Sequence, residues 1–390
     1  MFSGLAQCSL KRATQVRSLH ALTKTKTTSI NLARPDNDHK SLVVITTPSL
    51  LNQLIPQIQS YITEDGQLKD MNTVVVACVD TIAQSRFAYS QLWTKSDIKI
   101  TNFETNEDRD SRMTKKKDPL SADPVRFDKS WKHWLDETLF SINFTNWNLE
   151  TNVRLGSSVF QNDQMNTSFF ITRSTEGGIN QKNLHNMSSI SIDVNLDDIP
   201  HQEPEIEYTN RLTEIPMVEN PEESDPVYTI TDFEGNLLKS INDRGASDYL
   251  INNSLVMGEK KDLYFKLYTD EDVKESKPWK QQFYKLLVGA NGWGEKQAFM
   301  AIDPCVGLAG HRHVKMYQYD PVKPPCNIST ADDVKVVVET SELEDGFIQP
   351  PTQGTEEVSI SGVFAMGSEL GFQVDGVWHK ANGDIIQVTR

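Results

Sequence analysis

The sequence predicts a protein of the α/β to α+β class, built as two sheet-containing modules joined by an acidic connector. Three observations carry that expectation. Two nearly unbroken apolar runs, residues 41–46 and 73–80, flank an amphipathic segment. Beyond Pro226 short strand-like runs dominate. Between the two regions, residues 197–225 hold Pro200, Pro204, Pro216 and Pro221 among many acids, a composition that buries little and reads as an extended tether.

The chain has 390 residues, a length suited to two domains or one large one. Hydrophobic residues make up 37%, enough for a core in a chain of this size. No run approaches the roughly 18–20 apolar residues of a membrane span. The formal net charge is -15. It is uneven: residues 1–35 carry Lys11, Arg12, Arg17, Lys24, Lys26 and Arg34 and no acid. Setting those six aside leaves 33 of the 39 basic residues against 54 acidic ones, a balance of −21. A body so acidic repels phosphate backbones, which argues against general nucleic-acid binding.

Residues 1–35 are also rich in Ser and Thr. Leu5, Leu10, Val16, Leu19 and Leu22 can share one helical side opposite Lys11, Arg12 and Arg17. That is the pattern of a mitochondrial transit peptide, and it points to the matrix; the alternative is a disordered basic tail. Cleavage fits near residues 17–19 or further on. The cysteines, Cys8, Cys78, Cys305 and Cys326, are too scattered for a disulfide framework, and a reducing compartment is expected.

Folding is expected to begin at Lys40, opening a first module over residues 40–196. Residues 41–46 read as a buried strand, and Thr47 or Ser49 is placed to cap the helix that follows. Leu50, Leu51, Leu54, Ile58 and Ile62 recur at helical spacing. The next apolar run is the second strand, so the unit predicts a parallel pairing. Asp80 lies just past that strand, where α/β proteins keep functional groups, but a cap of the next turn is the preferred reading. Residues 104–129, with Arg109, Arg112 and Lys115–Lys117, read as a charged surface loop. Trp131, Trp134, Leu135 and Leu139 share one helical side. Residues 167–172 and 189–196 read as further strands.

The second module spans residues 226–390. It opens with a strand, the Gly235-Asn236 turn, a second strand and a helix start at Ala246. Strands are expected at residues 263–268, 285–289, 297–302, 311–317, 335–338, 358–364 and 385–388.

From Val227 onward this order of signals resembles the C-terminal part of a FIST domain, the F-box and intracellular signal transduction sensory module, of fungal mitochondrial type. Residues 227–250 are similar to that family's inter-module junction. In residues 283–319 a strand, a strand ending in Asp303-Pro304, a Gly and a final strand follow the family's order. Residues 74–80 are similar to its opening strand. The resemblance implies small-ligand sensing or scaffolding without established catalysis, and no site residue is carried over from it.

The chemistry-bearing residues reveal no catalytic constellation and no cofactor set. Cys305, His311, His313 and Cys326 form the one metal-like group. They lack a CxxC pair, so two histidines on one strand face is the reading preferred over zinc. GANGWG at residues 289–294 lacks a following helix to aim amides at a phosphate, and reads as a hairpin turn. His133, among tryptophans, reads as a packed histidine. The expected function is a non-catalytic mitochondrial matrix protein that binds a small metabolite or acts as a scaffold. An accessory factor of mitochondrial gene expression, docking on ribosomal assemblies through residues 109–117, is the runner-up. A hydrolase or transferase whose residues converge only in three dimensions is the third.

Overall fold

The computed structural model describes residues 19–32, 34–62, 68–105, 138–162, 166–173, 187–196, 203–217, 228–251, 253, 262–269, 278–290, 299–303, 308–323, 328–331, 333–341, 351 and 355–390. Arg109–Lys117, Trp131, His133, Trp134, Gly292, Gly294, Cys305 and Cys326 fall outside them. The chain begins with β1 (Leu19–Thr25), β2 (Ser41–Thr46), α1 (Leu51–Ser60), β3 (Thr73–Cys78), β4 (Ala88–Thr94) and β5 (Lys99–Thr105). Next come β6 (Leu139–Phe144), β7 (Leu149–Arg154), β8 (Ser168–Thr172), β9 (Met187–Val194), β10 (Glu205–Thr209) and β11 (Leu212–Ile215). A third group is β12 (Tyr228–Glu234), β13 (Leu237–Ile241), β14 (Arg244–Gly245), β15 (Leu263–Tyr268), β16 (Phe283–Ala290), β17 (Phe299–Ile302) and β18 (His313–Tyr319). The last is β19 (Lys335–Thr340), β20 (Val358–Ser361), β21 (Val363–Ser368), β22 (Phe372–Val374), β23 (Val377–His379) and β24 (Ile385–Thr389). Strand far outweighs helix, so the mixed class expected from sequence is sheet-dominated.

Strands β2 and β3 pair in parallel around α1, as their continuous apolar runs predict. Both faces of this pair are covered. Leu42, Val44, Val74 and Val76 pack with Leu50, Leu54 and Ile58 of the helical side. Val43, Ile45, Val75 and Ala77 face the central core. Each such side chain, fully buried, contributes roughly 1.5–3 kcal/mol. Thr47 and Ser49 do not cap α1. The Thr47 hydroxyl donates to the Ala88 carbonyl at 3.1 Å and Ser49 to that of Arg86, tying the loop to β4 instead.

The first sheet runs β20-β1-β4-β2-β3-β8, a second runs β23-β22-β7-β6-β9-β5, and a third runs β10-β24-β19-β21. Their strands come from both ends of the chain. One core joins Val43, Val75, Phe140, Val153 and Ile192 to Val336, Val338, Phe364 and Ile386. The expected division into residues 40–196 and 226–390 is therefore corrected. What lies beyond residue 328 returns to complete the core of the N-terminal half. The remaining strands form a barrel inserted between β10 and β19. The order β12-β13-β17-β16-β15-β18 closes on itself, because β18 pairs with both β15 and β12. Its interior holds Leu238, Ile241, Phe265, Met300, Val314 and Met316. The hairpin of β12 and β13 turns at Gly235 and leads to the short helix Asp248–Ile251, in the order read from sequence.

Two further expectations give way. Residues 197–225 are not simply an extended tether: β10 pairs along β24, and β11 pairs with β18. Folding does not begin at Lys40. Leu19–Thr25, inside the expected leader of residues 1–35, is an interior strand between β4 and β20. Its buried side is Ala21, Thr23 and Thr25. The Thr23 hydroxyl lies 2.9 Å from that of Ser90 and donates to the Val363 carbonyl at 2.8 Å.

Candidate functional site

Two parallel strand pairs end at the same place. In β2/β3 the register runs to Thr46 and Cys78, and in β19/β21 to Thr340 and Ser368. A single bridge, Thr81 to Gly367, links the two sheets there, and the Thr81 and Ser341 hydroxyls hydrogen-bond beside it. Carboxyl ends of parallel strands are where such sheets leave an open crevice lined by loop residues.

Asp80, the residue singled out from sequence, lies in this junction. It does not act as a local turn cap. It accepts hydrogen bonds from the Ser368 hydroxyl at 3.2 Å and from the backbone N–H of Glu369 at 3.3 Å. The Arg86 guanidinium pairs with Glu369 at 2.7 Å. Glu339 is fully buried at the end of β19, where Gln84 donates its backbone N–H to one carboxylate oxygen at 2.7 Å and its side-chain amide to the other at 2.9 Å.

Each of the two inner acids rests against a glycine. A Cβ on Gly156 would lie 2.8 Å from the backbone nitrogen and Oδ1 of Asp80. One on Gly367 would lie 2.6 Å from Cγ of Glu339. Gly156 is in turn fixed by its N–H on the Cys78 carbonyl at 2.8 Å.

Burial raises the pKa of all three acids. For Glu339 it outweighs the two bonds from Gln84 and pushes the group up to about 7. For Asp80 burial outweighs the Glu369 N–H, the Ser368 hydroxyl and the nearby Arg86. Glu369 is raised by burial and by the charge of Asp80, against the pull of Arg86. A site that disfavours its own anions gains from a ligand that supplies hydrogen-bond donors or positive charge.

The turn that brings Gln84 to Glu339 is strained. Ile82 and Ser85 exchange two backbone hydrogen bonds of 3.0 Å around Ala83 and Gln84, whose φ angles are 48° and 59°. Two consecutive left-handed residues cost non-glycine side chains roughly 1–2 kcal/mol each. Asn242 and Asp243, at φ 47° and 59°, make the same kind of reversal with residues that tolerate it.

Behind β19 lies a second buried polar group. Asp384 accepts from the Tyr208 hydroxyl at 2.7 Å and the Ala381 N–H at 3.0 Å, and burial pushes it up to about 7. His379 is 0% exposed and stacks on Phe372 at 4.9 Å. Its ring nitrogens have no hydrogen-bond partner among the described residues, and burial lowers it to about 4. It is a neutral core histidine, not a base set on a hydroxyl.

Of the other residues weighed from sequence, His313 opens β18 opposite Thr229 and Tyr268, in the barrel wall. His311 precedes that strand, its N–H on the Leu308 carbonyl at 3.1 Å. Among the described residues no group of three or more His, Cys, Asp or Glu could hold a metal ion. Sequence reasoning weighed Asp80 but preferred a turn cap for it, and missed Glu339, Gln84, Ser368 and Glu369. The available signals were the lone acid ending an apolar run at Glu339 and the Gly-Ser-Glu stretch closing β21.

No family model matches the sequence, no curated protein matches it, and no solved structure matches the fold.

Proposed function

We propose that the protein is a non-catalytic, ligand-binding sensory or scaffolding module of the mitochondrial matrix, and that its ligand site is the junction of Asp80, Arg86, Glu339 and Glu369. The observation that carries this reading is the seating of Asp80 and Glu339 against Gly156 and Gly367 where two parallel strand pairs end. Buried carboxyls raised in pKa at a loop-lined strand edge mark functional sites more often than ordinary surface. The acceptors there suit a small polar ligand rich in hydrogen-bond donors. Among the described residues the hydroxyls here are engaged with each other, Thr81 with Ser341, or with a carboxylate, Ser368 with Asp80, an arrangement that suits holding a polar ligand. The basic, acid-free composition of residues 1–18 supports delivery to mitochondria. The resemblance of residues 227–250 and 283–319 to the FIST module supports the sensory reading.

The test is native purification of the mature protein from mitochondria, followed by mass spectrometry of small molecules released on denaturation. A stoichiometric metabolite that raises the melting temperature of the wild type, but not of Asp80→Asn, is expected. Empty protein that shifts with no member of a broad metabolite panel, or a ligand held equally by Asp80→Asn, overturns the assignment.

A further inference from the structure

We propose that the Ala83-Gln84 turn is a latch built into the fold, fastened by Glu339 and released when that single contact is weakened. The turn carries two non-glycine residues at positive φ, an arrangement disfavoured unless something outside it holds it. Among the described residues its hydrogen bonds to the body beyond the turn itself are the two from Gln84 to Glu339, 255 positions away in sequence. Gln84 is exposed whereas Glu339 is 0% exposed, so a surface residue reaches inward to occupy both oxygens of a buried carboxylate. The equivalent reversal at Asn242-Asp243 uses residues suited to it. The contrast is the argument. A turn needing only to reverse the chain would carry such residues; this one carries a side chain that reaches Glu339.

The charge state of Glu339 sets the strength of the latch. As an anion it accepts two charge-assisted bonds, and as a neutral acid it accepts weaker ones. Across β21 it faces Gly367, with Glu369 two residues on, and across β24 it faces Ile385, with Asp384 just before. Asp80 and Arg86 flank the turn, and the His379 carbonyl accepts from the hydroxyl of Thr340, the residue after Glu339. Burial is the main influence on Glu339, so its proton is taken up or released near neutral pH. Opening the turn takes both donors from a carboxyl that stays packed against Gly367, which raises its pKa further. Within the folded chain alkaline conditions therefore fasten the turn and mildly acidic ones loosen it, even though ionisation of Glu339 lowers the stability of the fold as a whole. The device stands whether or not the junction takes a ligand.

The experiment is hydrogen exchange on the full chain between pH 5.5 and 8.5, corrected for the intrinsic rate and read at the Gln84 backbone amide. Protection in the wild type should rise about tenfold through pH 7, while amides of β3 stay unchanged. Glu339→Gln, which keeps the shape without the charge, should hold the low-pH protection throughout. Replacing Ala83-Gln84 by Asn-Gly removes the side-chain bond and keeps the backbone one in an unstrained turn, so the rise with pH should be several-fold smaller than in the wild type. A flat profile at Gln84 in the folded wild type overturns the latch, as does a rise that persists in Glu339→Gln. If Glu339→Gln fails to fold, the Asn-Gly variant decides alone: a rise with pH as large as in the wild type overturns the proposal.

Discussion

Gly156 sits so close to Asp80 that a single added carbon has no room: an ideal Cβ would lie 2.8 Å from the aspartate's backbone nitrogen, from its Oδ1 and from the Val79 carbonyl carbon. Two of those three atoms are backbone and cannot swing aside. Gly156→Ala is therefore expected to destabilise the fold by roughly 1–3 kcal/mol, as overpacking does. Urea denaturation would show it as a lower midpoint with an unchanged slope. An unaltered midpoint would mean that the two segments are not apposed as described.

The buried acids and His379 give stability a pH profile with two limbs. Glu339 and Asp384, each raised to about 7, bind a proton more tightly in the folded chain than in the unfolded one. Their contribution is fully present below the ordinary carboxylate pKa and is lost as pH rises through about 7. His379, lowered to about 4, behaves oppositely: its neutral form is favoured, so stability is lost as pH falls below the ordinary histidine value toward 4. The wild type should thus be less stable at pH 8 than at pH 6. Glu339→Gln removes one buried ionisation, worth on the order of 3 kcal/mol at most, and should shrink that difference. Denaturant midpoints at the two pH values measure it; an undiminished difference in Glu339→Gln would assign the effect to Asp384 alone.

The N-terminal boundary follows from β1. Thr23 ties this strand to Ser90 and Val363, Lys24 pairs with Glu357 at 2.6 Å, and Gly362 donates to the Ala21 carbonyl at 2.9 Å. Processing that removes a leader must then stop before Leu19. A chain lacking residues 1–18 should fold with its full complement of sheet. One lacking residues 1–25 should leave β20 unpaired and one edge of β4 open, and be recovered as aggregate. Circular dichroism and size exclusion distinguish them, and N-terminal sequencing of the protein purified from its native source locates any cut. A cut beyond residue 25 with the fold intact would remove β1 from the native structure.

How far the fold could be read in advance depended on what each strand buries. Strands β2 and β3 were legible because both faces meet apolar neighbours, so their centres are continuous apolar runs, Leu42–Ile45 and Val74–Cys78. The hairpin of β12 and β13 was legible through Gly235-Asn236. Strand β1 was not. Its inward side is Ala21, Thr23 and Thr25, small residues paired with hydroxyls and carbonyls, and the spacing of Leu19 and Leu22 in the sequence mimics a helical stripe. Strands β10 and β11 were masked by the acids around them, since Glu205 and Glu207 point outward while Ile206 and Tyr208 pack inward. The site was half legible for a related reason. Asp80 ends an obvious strand, but its partners lie 288 and 289 positions away, and no local pattern encodes that closure.

That same closure governs how the chain folds. Phe364 on β21 is 0% exposed in the core that also holds Val43, Phe140 and Ile192. Strands β19, β21 and β24 thus cover a face that the N-terminal half cannot cover itself. A chain ended after residue 323 keeps the barrel strands but leaves that face to water. It should fail to fold its N-terminal half while the barrel, with its own interior around Phe265 and Met300, retains protection from exchange. The milder test is Phe364→Ala, expected to cost about 3–5 kcal/mol and to loosen β2 and β3 at the same denaturant concentration as β21. Hydrogen exchange read separately on those strands decides the matter. Independent unfolding of β21 from β2 would restore two autonomous modules, and coincident unfolding makes the two ends of the chain one cooperative unit.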